Sequence, residues 1–162
     1  MKKLFILALS VMMILSLTAC GKKKSEDIAI TDDMSVVEKF DATFKNMSDD
    51  EGVTAEVMLE KMKEFLPSEM MVDIMPLEEV YMGFNDEIKG FDKATVLSPM
   101  ISSIAFICYI FEVSEDIEGF VKNVEEKANP SWNICVTADD KLVDQNNGFV
   151  LVVMAPTSFN SK

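Results

Sequence analysis

Eight consecutive residues, Ile104-Ala105-Phe106-Ile107-Cys108-Tyr109-Ile110-Phe111, carry no charge and almost no polar atoms. They are rich in β-branched and aromatic types and so read as a strand. Because side chains alternate along a strand, an unbroken apolar run is apolar on both faces. Such a strand belongs in the middle of a sheet, with helices over one face and other chain over the other. The rest of the sequence must supply its neighbours and its covers. The run sits within a longer β-like tract over 101–113, preceded by 94–97 and interrupted by Ser98-Pro99 and Ser102-Ser103, which predicts two strands or one long bent strand.

Helical covers are legible on both sides of that tract. Ser35 with Glu38 three residues on forms a capping box, and Val36, Val37, Phe40, Phe44 and Met47 recur at the spacing of one helix face. Ser48-Asp49-Asp50-Glu51-Gly52 interrupts the pattern. Thr54 then caps a second helix in which Met58, Leu59, Met62, Phe65 and Leu66 share a face before Pro67. Downstream, Ser114 is expected to cap a third helix carrying Ile117, Phe120, Val121, Val124 and Ala128, with Glu115 and Asp116 at its positive end and Asn129-Pro130 as its stop.

Further strands are expected over 132–138, 141–145 and 149–154, joined by Asp139-Asp140 and by Asn146-Asn147-Gly148, a strong hairpin signal. Between the second helix and the long tract the pattern is mixed, with a short strand over 70–75 and a short helix over 77–82 begun by Pro76. Helices, strands, a helix and strands again define an α+β fold: an antiparallel sheet of about four to five strands with helices packed mainly on one face.

The first residues set an address. Lys2 and Lys3 precede residues 4–17, interrupted only by Ser10 and Ser16, which is the charged and then apolar pattern of a secretory signal. The run is shorter than the roughly 20 residues that span a bilayer. It ends in Leu17-Thr18-Ala19-Cys20, which resembles the lipobox of bacterial lipoproteins. The resemblance implies cleavage before Cys20 and several acyl chains on that cysteine, enough for stable anchoring at the outer face of the cell membrane. The organisation expected is a signal peptide over 1–19, a lipidated cysteine and flexible tether over 20–33, and one domain over 34–162. Lys22-Lys23-Lys24 in the tether lie either against anionic headgroups or simply in solvent.

After cleavage, 28 acidic residues face 13 lysines, a formal charge of −15 that excludes nucleic acid as a partner. Histidine and arginine are both missing. The usual general base of serine and cysteine hydrolases and the commonest nitrogen ligand for zinc are therefore lacking, as is the bidentate fork for phosphate. Ser102-Ser103 has no partner base by motif. Asp49-Asp50-Glu51 and Asp139-Asp140 lack the alternating spacing of a calcium loop and fit turns better. The methionines lack the repeated spacing of a copper tract, and read as core or as an adaptable surface. No cofactor or metal is expected.

Cys108 and Cys135 both lie in apolar strand-like runs, so two free core thiols are the first reading, beside a disulfide or a reactive thiol. Trp132 reads either as packing for the third helix or as an aromatic platform for a ligand.

Met100-Ile101-Ser102-Ser103-Ile104-Ala105, the helix after Ser114, Ser131-Trp132-Asn133-Ile134-Cys135-Val136, and the hairpin from Asn147 to Met154 resemble a group of small lipoproteins from Gram-positive gut bacteria with a domain of unknown function. That resemblance covers about the last two thirds of the chain. It implies a lipoprotein with an α+β domain and brings no site residues with it.

The function expected is a non-enzymatic, lipid-anchored binding or interaction module near the membrane, taking an envelope protein or a small ligand. The alternative is a cell-envelope hydrolase using carboxylates such as Asp139, Asp140 or Glu112. A paired-carboxylate cleft would favour the enzyme, and an apolar methionine-rich patch would favour binding. The solute-capturing lipoprotein of a transporter is disfavoured by the chain's size.

Overall fold

The computed structural model describes residues 27–160 apart from Ser102 and Ile134. The signal segment, the lipobox with Cys20 and the start of the tether lie outside the described residues. In chain order the elements are α1 (Val36–Met47), α2 (Ala55–Lys63), β1 (Val72–Leu77), β2 (Lys93–Pro99), β3 (Ile107–Glu112), α3 (Ile117–Lys127), β4 (Asp140–Asn146), β5 (Phe149–Ala155) and a 3-10 turn (Thr157–Asn160). The strands form one antiparallel sheet in the order β1-β2-β3-β5-β4, which is the α+β architecture expected.

The apolar run becomes β3, the central strand, and its two faces lie in two cores. Cys108 and Ile110, with Leu97, Leu151 and Val153 beside them, lie under α1 and α2, which contribute Phe40, Phe44, Met58, Leu59 and Met62. On the other face, Tyr109 and Phe111 pack with Val96, Val150 and Val152 under Phe120 and Val124 of α3 and under Val80, Phe84 and Ile88 of the segment between β1 and β2. Of the three α-helices among the described residues, two therefore share one face, and α3 with a long covering loop closes the other. Each fully buried aliphatic or aromatic side chain contributes roughly 1.5–3 kcal/mol relative to exposure, so a strand buried on both sides dominates the stability.

The caps follow the sequence closely. Ser35 Oγ accepts from Glu38 N–H while Glu38 Oε2 accepts from Ser35 N–H at 2.7 Å, a complete capping box. Thr54 caps α2. Asn147 and Gly148 take positive φ (49° and 84°) between Asn146 and Phe149, the left-handed pair that a two-residue hairpin turn demands.

Four expectations need correction. Residues 132–138, Ile134 aside, are not a strand, because their backbone donors are claimed locally: Trp132 N–H donates to Asn129 O, Cys135 N–H to Asn133 Oδ1 and Ala138 N–H to Pro130 O. Cys135 is in consequence exposed rather than in the core, whereas Cys108 is buried, its thiol pushed well up by burial; both are free. Residues 77–82 form no helix, since Pro76 lies inside β1, paired with Thr95. The cap of α3 is Asp116 and not Ser114: Asp116 Oδ1 accepts from Gly119 N–H, and Ser114 lies two residues further out, its N–H donating to Asp92 Oδ2 at 2.8 Å.

Each sheet edge has an outward donor covered by the same device. Pairing alternates along β1, and Pro76, which has no N–H, must lie in the outward phase together with Ile74 and Val72. The outward Ile74 N–H is taken by the carboxylate of Asp73 at 2.9 Å. On β4 the residues flanking the two-residue turn face β5, so Gln145 faces outward, and its N–H is taken by Asp144 Oδ1 at 2.8 Å. A carboxylate over an open donor removes the template that an edge would otherwise present.

Candidate functional site

The ends of the sheet differ in chemistry. At the end where β3 stops and β5 begins, Asp92, Ser114, Glu115, Asp116, Lys89 and Asn123 line a groove of about 560 Å³ floored by Phe91 and Phe120. Its polar atoms are mostly committed: Asp92 holds Ser114 N–H, Asp116 holds Gly119 N–H at 3.2 Å, and Lys89 lies 2.6 Å from Glu87. What the groove offers a ligand is a weakly acidic wall around two aromatic rings.

The opposite end is apolar. Met100 N–H donates to Met71 O at 3.0 Å, a bond that carries the β1–β2 pairing one step past Val72 and Pro99. It brings Met71, Met100 and Ile101 together with 59%, 67% and 55% of their surface exposed. Met75 extends the apolar surface along the same edge. Its rung continues through Val96 to Tyr109, whose hydroxyl donates to Met82 O at 2.9 Å, so the exposed Tyr81 and Met82 lie over the same face. At this end too, Ile104, Ala105, Val136, Pro156 and Phe159 line a cleft of about 310 Å³. Both readings of the methionines thus apply: Met58, Met62 and Met154 are buried in the core, and Met71 and Met100 belong to an exposed apolar patch. That patch requires the β1–β2 register and was not legible from methionine spacing.

The residues singled out in the sequence are dispersed. Trp132 is half-buried against the core that contains Tyr109 and Phe120, and its backbone N–H donates to Asn129 O. Asp139 Oδ2 accepts from both the N–H and the hydroxyl of Thr157 at 3.0 Å, and Asp140 faces Asn160, so both serve the C-terminal turn. Glu112 lies at the opposite end of the sheet beside Lys93, at 3.7 Å. The register Asp140–Ala155 and Glu112–Phe149 separates these carboxylates by six residues of β5, about 20 Å. Glu112 therefore cannot act on one bond with Asp139 or Asp140. Asp49-Asp50-Glu51 sit in the connection between α1 and α2, and among the described residues no three acidic or cysteine side chains gather as a metal cage.

One pair of carboxylates does meet, and the sequence reading missed it. Asp41 of α1 and Asp144 of β4 flank Lys45, with Nζ 2.8 Å from each. Asp41 and Lys45 were visible as a helical i,i+4 pair, but nothing in sequence pointed to Asp144. The three line neither the polar groove nor the apolar cleft.

Compared with protein-family models, with curated proteins and with solved structures, the chain matches none. Among the described residues no helix is long and apolar enough to cross a membrane.

Proposed function

We propose that this chain is an extracytoplasmic lipoprotein, held to the membrane by lipid on Cys20, whose α+β domain binds an envelope protein through its methionine-rich end. The observation that carries the binding half is the exposed cluster of Met71, Met100 and Ile101, at the same end of the sheet as a cleft lined by Ile104, Val136 and Phe159 together with Ser103, Thr137 and Ser158. Exposed apolar surface is costly unless it is covered in use, and methionine fits itself to uneven partners. The anchoring half rests on the signal pattern and on Leu17-Thr18-Ala19-Cys20. A partner protein suits the apolar end better than a small polar ligand does, and the dispersal of Asp139, Asp140 and Glu112 gives the hydrolase reading no cleft.

Capture of the full chain from its native membrane tests both halves. Wild type, Cys20→Ala and the double change Met100→Asp with Ile101→Asp are compared, with bound proteins identified by mass spectrometry. Cys20→Ala is expected to leave the membrane fraction, and the double variant to stay on the membrane and lose the partner. Membrane retention by Cys20→Ala overturns the anchor. An unchanged set of partners on the double variant overturns the docking end.

A further inference from the structure

The contact between α1 and β4 is built around an excess negative charge. Lys45 Nζ donates to Asp41 Oδ2 at 2.8 Å and stands 2.8 Å from Asp144 Oδ2, while Asp144 Oδ1 accepts from Gln145 N–H. Asp41 Oδ1 and Asp144 Oδ2 are both buried; Asp144 Oδ2 faces the Lys45 ammonium, while Asp41 Oδ1 has no hydrogen-bond donor. A buried carboxylate oxygen without a donor is costly, and one lysine cannot neutralise two carboxylates.

Among the described residues no other cation enters from the surrounding elements. β5 has no ionisable side chain. On α2, Glu56 is matched by Lys93 and Glu60 by Lys63, while Glu64, next after the helix, is matched by Lys61. On α1, Glu38 holds the cap and Lys39 donates to Asp32 O. On β4, Lys141 donates to Glu125 O and Asp140 faces Asn160. The loop after α1 adds only Asp49, Asp50 and Glu51. A proton held between the two aspartates would give Asp41 Oδ1 a partner and leave one negative charge for Lys45.

We propose that Asp41 and Asp144 are a proton-sharing carboxylate pair bridged by Lys45, which fastens the C-terminal half of α1 to β4 while the proton is held and loosens that seam when the proton leaves. The directions of titration agree with the geometry. Burial foremost, helped by the neighbouring Asp144, holds Asp41 above the usual carboxylate range against the pull of Lys45. Burial also pushes Asp144 upward, but Lys45, the hydrogen bond from Asp41 and the Gln145 N–H together hold it below that range. Two like groups driven apart in this way titrate as a pair. Asp41 is the member raised above its unfolded value, so its stabilisation is complete below that value and is lost as pH rises through the folded one. The seam continues into Ser48, whose hydroxyl accepts from Asn146 Nδ2 at 2.7 Å and whose carbonyl accepts from Asn147 Nδ2 at 2.9 Å. Loosening at Lys45 would therefore reach the β4–β5 turn.

Carbon-13 NMR of the aspartate carboxyls across pH, on the full chain in detergent, reads the pair directly, with amide hydrogen exchange over 44–48 as the readout of the seam. Asp41 is expected to titrate above every exposed aspartate, and the protection of those amides to fall several-fold across the same step. In Asp144→Asn, the introduced carboxamide supplies its own donor, so the titration of Asp41 should move down and the exchange step should vanish. The proposal is overturned if wild-type Asp41 titrates with the exposed aspartates, a result that needs no variant. It is equally overturned if the raised titration persists unchanged in Asp144→Asn, or if protection shows no step.

Discussion

The side chain of Asn46 closes a ring with the backbone of Ile28: Oδ1 accepts from Ile28 N–H at 2.7 Å and Nδ2 donates to Ile28 O at 2.8 Å. Asparagine thereby pairs with an extended segment as a neighbouring strand would, at the end of α1 that carries Lys45 and Ser48. The stretch from Ile28 to Ser35 then runs back along α1 to its capping box. Asn46→Ala should free that stretch while leaving the fold intact, because exposed hydrogen bonds contribute at most about 1 kcal/mol. The expected outcome is loss of amide protection at Ile28 and faster proteolysis over 27–34, with the urea midpoint nearly unchanged. Preserved protection at Ile28 would show that other contacts hold the segment.

The start of α3 depends on Asp116 and Gly119 together. Asp116 caps the helix from a left-handed conformation (φ 46°), and a Cβ at position 119 would come within 2.2 Å of its Oδ2. Asp116→Ala removes the cap and leaves a left-handed residue, which costs about 2 kcal/mol in all. Asp116→Asn keeps the cap chemistry and tolerates that conformation, so its loss should stay within about 0.5 kcal/mol. Gly119→Ala would ordinarily stabilise a helix by about 1 kcal/mol. Here the gain should be cancelled in the wild type, where the cap must swing away, and recovered in the Asp116→Ala background. Denaturant unfolding of the four proteins in that cycle measures the coupling, and simple additivity would disprove it.

These relationships mark how far the sequence could be read. Period and capping placed α1 and α2, and Asn147-Gly148 placed the last hairpin, because the signals there are local and agree with one another. The apolar run around Cys108 located the centre of the sheet, since only a doubly covered strand tolerates it. Errors arose where a polar side chain chose between two local partners. Ser114 and Asp116 both offer an oxygen at the start of α3 and Asp116 takes the Gly119 N–H, while in 132–138 the Cys135 N–H goes to Asn133 Oδ1 rather than to a neighbouring strand. The methionine-rich end depends on the pairing of Met71 with Met100, and the Asp41–Asp144 contact on the docking of α1 over β4. Neither follows from spacing within one element.

Closure of the β1 edge rests on Asp73 and Pro76, and both can be removed without entering the core. Asp73→Leu frees the Ile74 N–H, and Pro76→Val adds an outward donor in the same phase. The double variant presents a flat apolar edge beside Met75 and should self-associate through it. Sedimentation velocity of the full chain in detergent is expected to show concentration-dependent growth for the double variant, weak growth for each single one and none for wild type. A double variant that stays at the wild-type size would mean that twist or the flanking loops protect the edge instead.

The link between α2 and β2 gives a pH dependence of opposite sign to that of Asp41. Lys93 Nζ lies 2.7 Å from Glu56 Oε1, and the hydrogen bond from Lys93 is the main cause holding Glu56 below the usual carboxylate range, as the one to Glu56 is for holding Lys93 above the usual lysine range. For Glu56, the lowered member, the stabilisation is complete above its unfolded value and is lost as pH falls through the folded one. For Lys93, the raised member, it is complete below the unfolded lysine value and is lost as pH rises through the folded one. The bridge is therefore whole across the neutral range and is removed at either extreme. With side chains 42% and 39% exposed, it contributes no more than about 1 kcal/mol and weakens with salt. Glu56→Gln should lower the urea midpoint slightly at neutral pH and low salt. It should lower it by nothing once the pH is well below the carboxylate range, and by less at high salt. A difference that survives acid unchanged would assign the loss to packing of the Glu56 stem rather than to its charge.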